Sequence, residues 1–100
     1  MIIVNGKIET GTAEDIERVS AALRARMERT RQEPGCIDYS FAIEVGAPNV
    51  MHVLEKWESE DALNTHLQVP DEAFSQAIAT ANVKSASIIA YTATGERVLR

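Results

Sequence analysis

Three patterns predict an α+β domain of the ferredoxin-like, split β-α-β type. Residues 36–45 alternate with a period of two, and an amphipathic stripe runs through Ile16, Val19, Leu23 and Met27. The elements follow the order strand, helix, strand, strand, broken helix, strand. That order gives an antiparallel four-stranded sheet with its helices on one face, and nothing in the chain remains to cover the other. A second copy laid sheet against sheet, a dimeric α+β barrel, is the expected cover. A single domain over residues 1–100 is expected, since no linker-like or single-sign stretch divides the chain.

The first strand is expected at residues 2–9, broken by Gly11. Thr12 is a good N-cap, with Glu14 and Asp15 in the first turn where acids favour the positive end of a helix dipole. The helix that follows turns Glu17, Arg18, Arg24 and Glu28 to water and is expected to run until Pro34-Gly35 stops it. In the next strand Ile37, Tyr39, Phe41, Ile43 and Val45 are expected on one face. Residues 46–49 read as a hairpin turn and residues 50–57 as the partner strand. Ser59 caps a second helix in which Leu63, His66 and Leu67 share a face, and a further helix is expected to begin at Pro70, with Phe74, Ala77, Ile78 and Ala81 as its stripe. A last strand is expected over residues 83–94, and residues 96–100 could add an edge strand.

Composition excludes several classes of function. A hydrophobic fraction of 45% and a charged fraction of 25% are those of a globular protein, and no apolar run approaches the ~20 residues that span a bilayer. No secretory signal is read at the start, so the cytoplasm is the expected compartment. A net charge of −5 disfavours nucleic acid, and the arginines of residues 18–31 are interleaved with acids as on a solvated helix face. Cys36 is the single cysteine, so no internal disulfide forms, and with His52 and His66 alone no structural zinc site is expected.

The sequence contains no G-x-S-x-G elbow, phosphate-binding glycine loop or H-E-x-x-H helix. The remaining candidates are the one tryptophan, Trp57, and His66 nine residues later. Strand alternation puts Trp57 with Met51, Val53 and Glu55, and helical spacing puts His66 on a face that packs on the sheet, so the two could wall one pocket. Core packing explains either residue alone.

The segment Glu33-Pro34-Gly35-Cys36-Ile37-Asp38-Tyr39 resembles the E-P-G-C-x-x-Y opening of the second strand in antibiotic biosynthesis monooxygenase domains. The stretch from Val53 through Glu55, Trp57 and Ser59 to Ala62, Leu63 and His66 is similar to that family's E-x-W-x-(S/D)-x-x-A-L-x-x-H segment, and Pro70 to Phe74 to its P-x-x-x-F continuation. The resemblance implies a homodimer with a pocket between sheet and helices in each subunit. It also implies oxygenation of a small quinol-like or phenolic aromatic by dioxygen without metal or flavin. On this reading His66 is the base and Trp57 its catalytic neighbour, while Tyr39, Phe41, Phe74 and Tyr91 supply walls and donors. The polyketide-oxidising branch has an amide and a tyrosine where Val53 and Leu63 stand, so those pocket positions are apolar here and a polyketide substrate is not expected. Asn5, Trp57 and His66 resemble the set of the haem-degrading branch. Haem degradation ranks behind an isomerase of a small carbonyl compound and behind a binding or dimerisation module without catalysis.

Overall fold

The computed structural model describes residues 1–100. Its elements run β1 (Ile2–Thr10), α1 (Ala13–Thr30), β2 (Cys36–Glu44), β3 (Ala47–Trp57), α2 (Glu60–Gln68), α3 (Glu72–Ala79) and β4 (Val83–Thr92). The strands form one antiparallel sheet in the order β2-β3-β1-β4, the ferredoxin-like arrangement. No helix is long and apolar enough to cross a membrane.

Strand alternation decides what the helices cover. On β1, Ile2, Val4 and Ile8 are buried while Asn5, Lys7 and Glu9 are exposed, and the register sets Trp57 opposite Ile2, Val53 opposite Gly6 and Met51 opposite Ile8. Helix α1 lies across β1, β2 and β3, α2 packs on β3, and α3 packs on α1. The core falls into two groups. One gathers Ile2, Val4, Tyr39, Val53 and Leu63 around Trp57, and the other joins Ile16, Val19 and Leu23 of α1 to Ile8, Met51 and Ala81. Thr12 caps α1 through a reciprocal box: its hydroxyl accepts from the Asp15 N–H, and the Asp15 carboxylate accepts from the Thr12 N–H at 2.8 Å.

Several boundaries differ from those the sequence predicts, each for a local reason. Helix α1 stops at Thr30, because the following N–H groups turn to carbonyls three residues back, Gln32 to Arg29 at 3.1 Å and Glu33 to Thr30 at 3.0 Å, which tightens the chain before the proline is reached. The hairpin turn is Val45-Gly46, with Gly46 at φ 85°, so Ala47-Pro48-Asn49 already belong to β3. Pro70 lies outside α3, whose N-cap is Asp71. Residues 93–100 form no strand. Tyr39, Phe41 and Ile43 do share the helix-side face, opposite Glu55, Val53 and Met51. Ile37 does not join them. The register shifts between Cys36 and Asp38, so a bulge at Ile37 turns Cys36 toward the core group and leaves Ile37 52% exposed. Val45 is in the turn and fully in water, and Leu67 points away from the sheet, 69% exposed.

Candidate active site

Trp57 is the last residue of β3 and is fully buried. Its indole N–H donates to Glu55 Oε1 at 2.9 Å, from the residue two back on the same strand face. His66 lies on α2, one turn beyond Leu63, and its ring stacks on the indole with centroids 4.8 Å apart and planes 30° from parallel. At 3% exposure the imidazole is as enclosed as the tryptophan.

The Glu33-Pro34-Gly35-Cys36 segment holds this pair together. Glu33 Oε1 is 2.8 Å from His66 Nδ1. Gly35 adopts φ 82°, and a Cβ there would come within 2.5 Å of the Ala62 Cβ, so only glycine lets the turn press against α2. The Gly35 carbonyl accepts from the Glu58 N–H at 2.8 Å, tying the turn to the end of β3.

Arg26, which the sequence alone groups with the solvated arginines of residues 18–31, adds to the cluster. Its Nη2 is 3.3 Å from His66 Nε2, its Nε donates to the Tyr39 hydroxyl at 3.2 Å, and its Nη1 meets Asp71 Oδ2 at 3.3 Å. The guanidinium also lies over the Phe74 ring, 4.7 Å from its centroid. Because a guanidinium only donates, Nε2 must be the accepting nitrogen, and Nδ1 then carries the proton given to Glu33. Both nitrogens of His66 are thus engaged, one by the Glu33 carboxylate and one by the Arg26 guanidinium. Arg29 adds a second cation, 3.3 Å from Asp71, while its Nη2 and Glu33 Oε2 face each other at 3.7 Å, too far for a hydrogen bond and with no other hydrogen-bond partner.

The titratable groups follow from this arrangement. Burial pushes the Tyr39 phenol above its ordinary value, and the Arg26 hydrogen bond only partly offsets it. Burial also opposes the Asp71 carboxylate, but the Phe74 N–H and the two guanidiniums outweigh it and leave that carboxyl below its usual range. Burial raises the Cys36 thiol, with Glu33, Asp38 and Glu55 adding to the effect. No three His, Cys, Asp or Glu side chains gather in a way that could hold a metal ion.

The structure brings together most of the predicted site residues. Tyr39 lies edge-on to His66 and to Phe41, each at 5.5 Å, and Phe41 meets Phe74 at 6.0 Å. Val53 and Leu63 pack in the Trp57 group. Asn5 and Tyr91 do not join them. Alternation from buried Val4 puts Asn5 on the opposite face of the sheet, opposite Leu54 and Ile89, and Tyr91 lies on that face opposite Ile3, 54% exposed. Asn5 therefore forms no set with Trp57 and His66 within one subunit. Beside the cluster, a groove of about 440 Å³ runs between α1 and the β2–β3 hairpin, walled chiefly by Ile16, Leu23, Met27, Phe41 and Met51. Phe41 and Met27 are common to the groove and the aromatic cluster, and Tyr39 stands between Phe41 and His66.

Comparison with known proteins agrees with this architecture. Residues 1–82 match the profile of the antibiotic biosynthesis monooxygenase family. A Deinococcus radiodurans protein of known structure, described as a candidate antibiotic biosynthesis monooxygenase, is 29% identical with a TM-score of 0.85, over 100% of this chain and 99% of that one. A conserved protein from Methanosarcina mazei Go1 is 26% identical with a TM-score of 0.74, over 90% and 89% of the two chains. One from Nitrosomonas europaea, described like the first, has a TM-score of 0.81 over 93% and 98% of the chains at 15% identity, a likeness of fold alone. An uncharacterised Synechocystis protein is 35% identical over 69 residues, which are 69% of this chain and 46% of that protein, so the match spans about half of its length. With the family profile matched over residues 1–82, this chain belongs to the antibiotic biosynthesis monooxygenase family.

Proposed function

We propose that the protein is a cofactor-independent monooxygenase that oxidises a small quinol-like or phenolic aromatic with dioxygen. The observation that supports it is the chain Glu33–His66–Arg26 beside Trp57. A carboxylate fixes the Nδ1 proton, and the Nε2 lone pair meets a guanidinium at 3.3 Å inside an aromatic enclosure. A substrate hydroxyl that comes between Nε2 and Arg26 would give its proton to Nε2 and keep the electron pair on oxygen, where the guanidinium stabilises the phenolate. The electron-rich anion then reduces dioxygen. One oxygen atom enters the ring and the other leaves as water, with the quinol supplying all four electrons. The substrate ring would lie in the groove, and its hydroxyl would reach His66 once Phe41 and Tyr39, which stand between the two, both turn aside. The family membership and the naming of the Deinococcus relative support the same class of activity.

Oxygen uptake with a panel of hydroquinones tests the reading. Turnover is expected with at least one, falling about 10²- to 10⁴-fold in His66→Ala. Because His66 is buried, Glu33→Gln serves as a second variant that keeps the packing and loses the ionic orientation of Nδ1. No uptake above buffer with any quinol, or rates indifferent to both substitutions, would remove the proposal. A second reading, a binding module without catalysis, is favoured by one observation: both nitrogens of His66 already have partners. A ligand recovered chemically unchanged, with no oxygen consumed, is its signature.

The active unit of this proposal is a homodimer. All ten residues of β4 are exposed, and Leu54, Ile89 and Tyr91 are bare on the sheet face away from the helices. A second copy against that face is the natural cover.

A further inference from the structure

We propose that the groove between α1 and the β2–β3 hairpin binds an aromatic acid, with the anionic group of the ligand held by Arg24 at the mouth. The monooxygenase reading is needed only to call this ligand the substrate; the binding itself is argued from the groove.

The groove has the size of a small-molecule site, about 440 Å³, and its walls are mostly apolar. Met27 and Met51 lie on opposite sides of it, one on the helix and one on the sheet, and their flexible thioethers can settle against a flat ring. Two charged side chains border it, Glu17 and Arg24, seven residues apart on α1 and so about 10.5 Å apart along the helix axis.

Arg24 differs from the other arginines of this stretch. Arg18 is held by Asp15 and the Thr80 carbonyl, Arg26 by Tyr39, Asp71 and His66, Arg29 by Asp71 and the Pro70 carbonyl, and Arg31 by the Tyr39 carbonyl and the Ser40 hydroxyl. Arg24 has neither a hydrogen bond nor an ion pair, and it is the one arginine that borders the groove. An anion offered there displaces no existing partner. Glu17, equally free, repels an anion from the other end and leaves that end to a hydroxyl or another donor. An apolar trough with one free cation and one free carboxylate two turns apart therefore selects a ring system of roughly that length, acidic at one end.

Two dyes that share a ring system but differ in charge make the test: 1-anilinonaphthalene-8-sulfonate and its neutral parent N-phenyl-1-naphthylamine. Titrated into the full-length protein, the sulfonate is expected to bind about tenfold more tightly, the scale of one charge-assisted contact at an open site. Arg24→Gln should bring the sulfonate to the level of the neutral dye and leave the neutral dye unchanged. Ser20→Trp, which fills the groove, should weaken both at least tenfold. Methyl NMR gives a second readout that needs no variant: the Met27 and Met51 methyls should shift on titration while Met1 does not. Equal affinities in the wild type, a sulfonate affinity untouched by Arg24→Gln, or methyls that stay still while the dye binds the bare β4 surface would each overturn the proposal. None of these measurements consumes oxygen, so failure of quinol turnover leaves this inference standing. Turnover of neutral quinols with no preference for the anionic dye would remove this inference alone.

Discussion

The indole of Trp57 and the carboxylate of Glu55 illustrate what burial demands of single residues. Both are enclosed, and each is the other's hydrogen-bond partner at 2.9 Å. Glu55→Ala should therefore lower stability by about 1–3 kcal/mol in urea unfolding, because a buried N–H is left without an acceptor, and Glu55→Gln should recover most of that. Asp15 makes a pH-dependent case. The Arg18 guanidinium and the hydrogen bonds from Asn82 and Thr12 hold its carboxyl at about 2, against 3.8 unperturbed. The folded form thus binds fewer protons than the unfolded chain between those values. Its contribution is fully present above about pH 4 and is lost as the pH falls toward 2. Asp15→Asn should flatten the rise of the urea midpoint between pH 2 and 4, and an unchanged slope would contradict the assignment. At this scale the sequence singled out Trp57 and His66, which the structure stacks together, but not Arg26. A charged residue on an amphipathic helix reads as solvated. Yet Arg26 lies three residues after Leu23 and four before fully buried Thr30, on the inward stripe, and an arginine at that spacing is the signal that was available.

Among the elements, the turn between α1 and β2 has most control over the site. It positions Glu33 for His66, presses Gly35 on Ala62, and turns Cys36 inward through the bulge at Ile37. Gly35→Ala should cost more than about 1 kcal/mol, since it adds both a positive-φ penalty and a clash. Adding Ala62→Gly should relieve the clash but not the backbone penalty, so the double variant is expected between the single variant and wild type in thermal unfolding. Element types and order were legible because period-two and period-3.6 patterns are set by which face is buried. The bulge was not, because Ile37 continues the alternation in sequence while the pairing with β3 skips a residue. The early stop of α1 was hidden for a similar reason: the tightened chain after Thr30 uses backbone groups only, so no side chain marks it.

At the level of the whole molecule, the helices cover β1, β2 and β3 but leave β4 with substantial packing only against β1. Ile88, Ile89 and Tyr91 are each about half exposed, and residues 98 and 99 are bare valine and leucine. Light scattering is expected to give a particle of 22 kDa, twice the 11.0 kDa of one chain. Ile89→Lys combined with Tyr91→Lys should shift it toward the monomer. An 11.0 kDa particle of the unaltered protein at working concentration would contradict the dimer. The uncovered face was legible from the element order alone, since three helices on one side of four strands cannot serve both sides.

The pairing of β4 along only one side has a kinetic consequence. In an antiparallel ladder, alternate peptide groups of an edge strand point outward, so past the register shift at its start every second amide of β4 from Ser85 to Thr92 lacks a bonded carbonyl in the isolated subunit. In heavy water a lone subunit should show fast and slow deuterium uptake alternating residue by residue along β4, whereas an edge sealed by a second chain would lose that alternation.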